Sequence, residues 1–318
     1  MKMKIGLPKG LLYSKYRFFA ETFFTEMGAE LVPSPDTNRH ILDEGVRYCV
    51  DEACLPVKLF HGHVAWLRNR CDAIFIPRIM QLDKREFICP KFCGIAEMVA
   101  NTIPDLPPLI APPIYAWDSA RLRAWAKSAA SLLSRDSTRV SSALERALES
   151  QRQSDIGIKT KGRSLTIAVL GHPYQVYDSF VNMNLMKKLE RAGAGVLTLE
   201  TLPAEAINKE SDMLFKKPFW SFARENYGGA VSLFKEGGAD GFVYLSSFSC
   251  GIDSVVIELI RDKIGDFPLL VLKIDEHTGE AGFDTRLEAF MDLLERRRTL
   301  ENNRTPDGEY RACCQSAL

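Results

Sequence analysis

Three cysteines of this sequence are each followed by a segment of helical character. Cys54 lies in Asp51-Glu52-Ala53-Cys54-Leu55-Pro56, ahead of a helix that begins near Pro56. Cys89 lies in Phe87-Ile88-Cys89-Pro90-Lys91, again with proline next and a helix after it. Cys250 lies in Ser246-Ser247-Phe248-Ser249-Cys250-Gly251, between a strand and a helix that starts near Asp253. The first turn of a helix offers backbone N–H groups with no intrahelical partner, and the positive end of the dipole; both favour a thiolate. Such sulfurs can ligate a metal, and the same N–H groups can reach cluster sulfides. The plainer alternative is that each cysteine packs as a small hydrophobe. Cys49 and Cys93 each lie within five residues of one of the three, as a candidate fourth ligand or a mere neighbour. Cys71, ahead of an apolar segment, reads as core, and Cys313-Cys314 as incidental. Structural zinc sites favour Cys-x-x-Cys or short His pairs. No Cys-x-x-Cys occurs here, and His61-Gly62-His63 has a strand spacing inside a helical segment. Isolated cysteines from separate loops suit a cluster assembled in a cleft.

Acid–base chemistry has four candidates. Glu276, His277 and Glu280 belong to Asp275-Glu276-His277-Thr278-Gly279-Glu280, after the last strand; His172 belongs to Gly171-His172-Pro173. They could move protons or orient a partner. Equally, the first segment can be a hydrogen-bonded loop that caps the next helix, and the second a turn.

The elements that must position these residues come in two sets. Residues 4–8, 30–32, 72–77 and 108–111 read as strands, the third continuous enough for a buried parallel strand. Helices lie between them, one over residues 14–27 with Gly28 as its stop. Residues 117–152 are rich in Ala, Leu, Ser, Arg and Glu at helical spacing, and read as one or two helices bridging two lobes; residues 154–163 read as a polar loop. The strand–helix rhythm then resumes, with strands at 164–170, 195–198, 241–245 and 268–272 and helices over 179–192 and from about 286. This alternation predicts an α/β protein of two Rossmann-like, doubly wound parallel-sheet domains with a helical bridge. The expected divisions are residues 1–116 and 164–302 as cluster-binding domains, 117–163 as bridge and linker, and 303–318 as a mobile tail. Two such lobes facing each other make a cleft.

Bulk composition narrows the classes. The 318 residues are 46% hydrophobic and 26% charged, with equal basic and acidic counts. Zero net charge argues against nucleic acid held by bulk basicity, and Arg296-Arg297-Arg298 reads as a solvated helix face. Met1-Lys2-Met3-Lys4 leads into a strand too short for a signal peptide, and no apolar run reaches the roughly 18 residues of a membrane helix. The expectation is a reducing cytoplasm, in which the eight cysteines are thiols or ligands rather than disulfides. Neither G-x-G-x-x-G nor a Walker loop follows either first strand, so no motif marks a dinucleotide or ATP site.

Taken in order, several strings resemble one family: Ile5-Gly6-Leu7-Pro8-Lys9-Gly10-Leu11, Val50-Asp51-Glu52-Ala53-Cys54-Leu55-Pro56-Val57-Lys58, Ile76-Pro77-Arg78, Cys89-Pro90-Lys91, Gly171-His172-Pro173-Tyr174, the segment from Tyr244 to Gly251, and that from Asp275 to Gly282. The resemblance is to the acyl-CoA dehydratase activase-related proteins, relatives of the 2-hydroxyacyl-CoA dehydratase subunits and the double-cubane cluster proteins. It runs to about residue 300, outside the helical bridge and the tail. It implies two Rossmann-like domains, a cluster held by cysteines from both, and a separate ATP-dependent activase, with its own iron–sulfur cluster, that delivers low-potential electrons. Carried over, Cys54, Cys89 and Cys250 match the family's cysteines. Ser249 stands where the pattern has glycine and Ile252 where it has proline, which puts the turn around Cys250 in doubt.

The expected function is therefore that of a four-iron cluster redox protein, with a double cubane as the larger alternative. It would accept electrons in trans for reduction of a small molecule, in the manner of a dehydratase-like enzyme, with no membrane partner and with a homodimer left open. Lys9 and Lys91, at the loop edge, are the candidates to meet an acidic donor. A non-catalytic cluster carrier or scaffold and a zinc-dependent or metal-free small-molecule binder are the rival readings.

Overall fold

The chain starts on β1 (Lys4–Leu7), whose Gly6 is needed for packing: a Cβ there would lie 2.7 Å from the Cys71 sulfur. Residues 2–161 and 165–302 are described by the computed structural model on which this account rests. Ser164 of the expected strand and the tail at 303–318, with Cys313 and Cys314, lie outside the described residues. Helix α1 (Tyr13–Glu26) buries Ala20, Phe23 and Phe24 on one face, and Gly28 at φ +83° ends it. The chain then runs through β2 (Glu30–Pro33), α2 (Arg39–Tyr48), α3 (Leu55–Leu67), β3 (Ala73–Phe75), β4 (Ile79–Gln81), α4 (Pro90–Thr102), β5 (Leu109–Ile110), β6 (Ile114–Tyr115), α5 (Ser119–Ala129) and α6 (Ser137–Gln153). The second half comprises β7 (Thr166–Gly171), α7 (Pro173–Val176), α8 (Leu185–Arg191), β8 (Gly195–Thr198), α9 (Ala204–Ser211), α10 (Ser221–Glu236), β9 (Gly241–Ser247), α11 (Gly251–Ile264), β10 (Leu269–Ile274) and α12 (Glu280–Asn302).

Two four-stranded parallel sheets result, ordered β2-β1-β3-β5 and β8-β7-β9-β10. Counted within its own half, each sheet has the order 2-1-3-4. Each therefore has its switch point between its first and third strands, where loops leaving the carboxyl ends diverge and open a crevice. The α/β class and the paired parallel sheets match the expectation from sequence.

Several boundaries differ from the reading. Strands β4 and β6 form a small extra sheet, too short to show as a period. Helix α8 starts at Leu185 rather than near 179, because Met183 and Asn184 take left-handed φ values of 51° and 57°. Helix α12 begins at Glu280, ahead of the expected start. Helices α5 and α6, read as a bridge, pack into the first core: Trp125, Ala129, Val140, Leu144 and Ala147 are buried with Phe23, Phe24 and Phe75. Both begin at aspartate caps, Asp118 accepting from the N–H of Ala120 and Arg121, and Asp136 from Thr138 and Arg139.

The halves share side chains. Ile41, Leu42, Leu55 and Leu59 of the α2–α3 pair pack with Val169, Val243 and Leu272 of the second sheet. Helices α2 and α3 approach so closely that a Cβ on Gly62 would stand 1.9 Å from the Ile41 carbonyl oxygen, and one on Gly45 2.1 Å from that of Lys58. From the other side, Phe222 of α10 enters the first core. A backbone bridge joins Phe87 to Phe219 and Ser221, and the buried Arg224–Glu86 pair at 2.9 Å lies beside it.

Candidate functional site

In a parallel α/β unit the helix after each strand starts at the carboxyl edge of the sheet. Cys54 is the residue that precedes α3, Cys89 precedes α4 and Cys250 precedes α11, each in the capping position. Proline in the first turn of α3 and α4 lacks only an N–H that would be unpaired there, so it fixes the start directly after the sulfur. His172 holds the same place ahead of α7. The two carboxyl edges thus bring four potential ligands from sequence positions 54 to 250 to one region.

Cys89 lies within electrostatic reach of Cys54 and Cys250. Burial pushes the Cys89 thiol up; the Lys91 backbone N–H opposes this, and the sulfurs of Cys54 and Cys250 add to it. Tyr174 lies among them. Burial first, and then its neighbours Asp253, Cys250, Cys54 and Cys89, push its hydroxyl well up. Its ring stacks on His172 at 4.9 Å between centroids. Lys91 donates from Nζ to the Cys54 sulfur over 3.4 Å, and Lys9 pairs with Asp36 at 2.9 Å. The first lysine thus serves the thiols, although at the sequence level it suggested a docking charge. All three cysteines are partly exposed.

Behind Cys250 lies a buried charge pair. The Asp253 carboxylate accepts from the hydroxyls of Tyr244 and Ser246, both at 2.9 Å, and stands 3.0 Å from His172 Nε2. Burial pushes this carboxyl up, but His172 and the two hydroxyls bring it below the usual range. Burial alone would neutralise His172; Asp253 and Cys250 instead push it up to about 10. Neither ring nitrogen of His172 has an aligned hydrogen-bond partner among the described residues, although both are buried. Ligand atoms of His172, Cys250 and Asp253 lie within 4.8 Å of one another and could hold a metal ion. Ser249 adopts φ 64°, the left-handed region that favours glycine, so the turn expected of a glycine is made here by serine.

The other candidates are placed apart or otherwise engaged. Glu276 is bound to the buried Lys58 ammonium, which also donates to the Asp51 carbonyl at 2.8 Å. His277 has an 86% exposed side chain, and Glu280 pairs with Lys188 at 2.6 Å. Of the four acid–base candidates only His172 joins the cysteines. Cys49 feels the Cys54 charge. Cys93, one turn into α4, has Arg78 as its charged neighbour. Cys71 donates to the Leu67 carbonyl at 3.3 Å, at the far edge of the sheet. His63 is a structural residue between Ser34 and Thr37, and burial takes it down to about 3. Asp253 was missed as a site residue. An acid three positions after Cys250 is a common helix-start choice, and only its burial reveals the role. Tyr174 appeared in the sequence only as part of a motif string.

Residues 4–202 match the sequence family described as CoA enzyme activase uncharacterised domain. No curated protein sequence matches the chain. Among solved structures, glutamate racemase isoform RacE1 from Bacillus anthracis aligns over 93% of this chain and 82% of its own, at 11% identity and a TM-score of 0.22, which is too low to carry an inference. Among the described residues, no helix is long and apolar enough to cross a membrane.

Proposed function

The chain belongs to the CoA enzyme activase uncharacterised domain family, and from that premise we propose that it is an iron–sulfur redox protein. In this reading Cys54, Cys89 and Cys250 hold the cluster, and an ATP-dependent partner supplies low-potential electrons for reduction of a small molecule. One observation supports the reading: three thiols from two sheets, each at the start of its own helix, lie within electrostatic reach of Tyr174. The residues fit such a group. Thiolates are soft ligands suited to iron–sulfur clusters, and the helix starts supply N–H donors. When bound, the cluster would store and pass single electrons. The chain's own residues would do the rest. Asp253 favours the charged form of His172 behind Cys250, and Lys91 donates to the Cys54 sulfur. Cys49, beside Cys54, is the nearer source of a fourth ligand than Cys93.

A second reading rests on the donor set of His172, Cys250 and Asp253, which suits a single zinc or iron ion. Metal analysis after anaerobic purification separates the two. A brown protein with iron and acid-labile sulfide, lost in Cys54→Ser, Cys89→Ser and Cys250→Ser but kept in Cys93→Ser, supports the cluster. Zinc without sulfide, or equal iron loss in Cys93→Ser and Cys89→Ser, refutes it.

A further inference from the structure

An apolar pocket of about 150 Å3, open on one side, lies at the carboxyl edge of the first sheet, outside the cysteine group. Leu7, Phe75, Ile79 and Ile114 form its floor, and Leu122 of α5 and Leu148 of α6 its far wall. Helix α1 borders it with Tyr13, Tyr16, Arg17 and Ala20, which share one helical face at i, i+3, i+4 and i+7. A cavity of about this volume lined by Leu, Ile and Phe stays dry and takes a benzene-sized guest.

Polar groups occur only at the mouth, and most are spent. The Tyr13 hydroxyl donates to Glu21 at 2.5 Å, and the Gln151 amide bonds the Lys15 carbonyl and the Phe19 N–H. Tyr16 has Lys15, Glu225, Asp83 and Glu200 as its charged neighbours. Arg17 has no ion pair among the described residues, and its guanidinium lies over the Phe18 ring. A polar cleft of about 370 Å3 shares Tyr13 and Arg17 with the cavity and continues past Lys9 to Tyr174, beside the cysteines. The mouth therefore joins an apolar chamber to a polar channel, with Arg17 at the junction and Asp36, Asp155 and Asp178 along the channel.

We propose that this cavity binds the apolar end of a small monocarboxylate of about six to eight carbons, aryl or short alkyl, whose carboxylate meets Arg17. The site goes beyond the cluster reading, so its test is run on the protein as purified anaerobically, with iron and sulfide measured in the same sample, and either idea can fail alone.

Four probes separate the contributions by calorimetric titration: phenylacetate has ring and carboxylate, toluene the ring, acetate the carboxylate, and phenethylamine the ring with the opposite charge. Phenylacetate should bind most tightly, toluene about tenfold more weakly, and acetate and phenethylamine not detectably. Arg17→Ala, at an exposed position, should weaken phenylacetate about tenfold and leave toluene unchanged. Ala20→Leu should abolish both by filling the chamber. Leu82→Trp, at a partly exposed lining position, should do the same if Ala20→Leu does not fold. Toluene binding as well as phenylacetate, indifference to Arg17→Ala, binding that survives both filling variants, or no binding by any probe would each overturn the proposal.

Discussion

Lys58→Met removes a buried ammonium and keeps most of its volume. The side chains of Lys58 and Glu276 are 2% and 17% exposed, and they form an ion pair between α3 and the loop after β10. Lys58 also holds the Asp51 carbonyl, three residues before Cys54. Removing one partner of a buried pair leaves an uncompensated charge and costs about 3–5 kcal/mol. Because Glu276 retains a little solvent, the lower end applies, about 3 kcal/mol. Glu276→Gln still offers Lys58 an oxygen, so it should cost about 1.5–3 kcal/mol, the worth of a charged hydrogen bond. The double variant Lys58→Met/Glu276→Leu leaves no orphan charge, and its cost should fall short of the summed single costs by about 1–3 kcal/mol. Burial raises the Glu276 carboxyl, but Lys58 and a backbone N–H bring it below its ordinary value. A depressed carboxyl contributes stability that is fully present above the unfolded value, about 4.3, and lost as pH falls through the folded one. Urea titrations should therefore show a constant gap between wild type and Glu276→Gln from pH 7 to about pH 5, closing below about pH 4. A Lys58→Met cost under about 1 kcal/mol, additive single costs, or a gap that widens in acid would refute the reasoning.

Gly62→Ala should cost about 3 kcal/mol in thermal or urea unfolding, because its Cβ would meet the Ile41 carbonyl at 1.9 Å and force α2 from α3. Gly94→Ala, within α4 with nothing near its Cβ, should stabilise by up to about 1 kcal/mol. If the two changes behave alike, close helix approach is not what Gly62 provides. Ser249→Gly should relieve the left-handed φ of 64°, a cost of about 1–2 kcal/mol, against about 0.5–1 kcal/mol of added chain entropy. The expected net gain is up to about 1 kcal/mol in melting experiments, and a clear loss would show that the serine hydroxyl matters more than the backbone.

The strands with continuous apolar runs and the three cysteines ahead of helices were readable because each depends on neighbours in sequence. Pro56 and Pro90 mark helix starts locally, and the structure puts Cys54 and Cys89 directly before them. What was hidden depends on distant contacts. The stripe of Val140, Ala143, Leu144 and Ala147 announces a helix but not the surface it covers, so α6 read as a bridge while it packs on the first core. Glu276 looked like a free acid because its partner Lys58 lies 218 residues away. Asp253 and His172 gave no signal of pairing, since their meeting needs β7 and β9 to be neighbours. The left-handed turn at Met183 and Asn184 is set by tertiary packing, and neither residue is a glycine.

The α2–α3 pair, which supplies Ile41, Leu42, Leu55 and Leu59 to the second core, has a consequence for how the protein is made. Helix α3 ends at Leu67 and β7 begins at Thr166, about 100 residues later in synthesis. At roughly 5–20 residues per second, the ribosome leaves that apolar surface uncovered for on the order of 5–20 s before its cover begins to emerge. The nascent chain over that interval is a natural client for holding chaperones, and a fragment ending near residue 160 should be captured by them or aggregate. Synonymous changes that slow translation between α3 and β7 would then lower the yield of folded protein without altering a single amino acid.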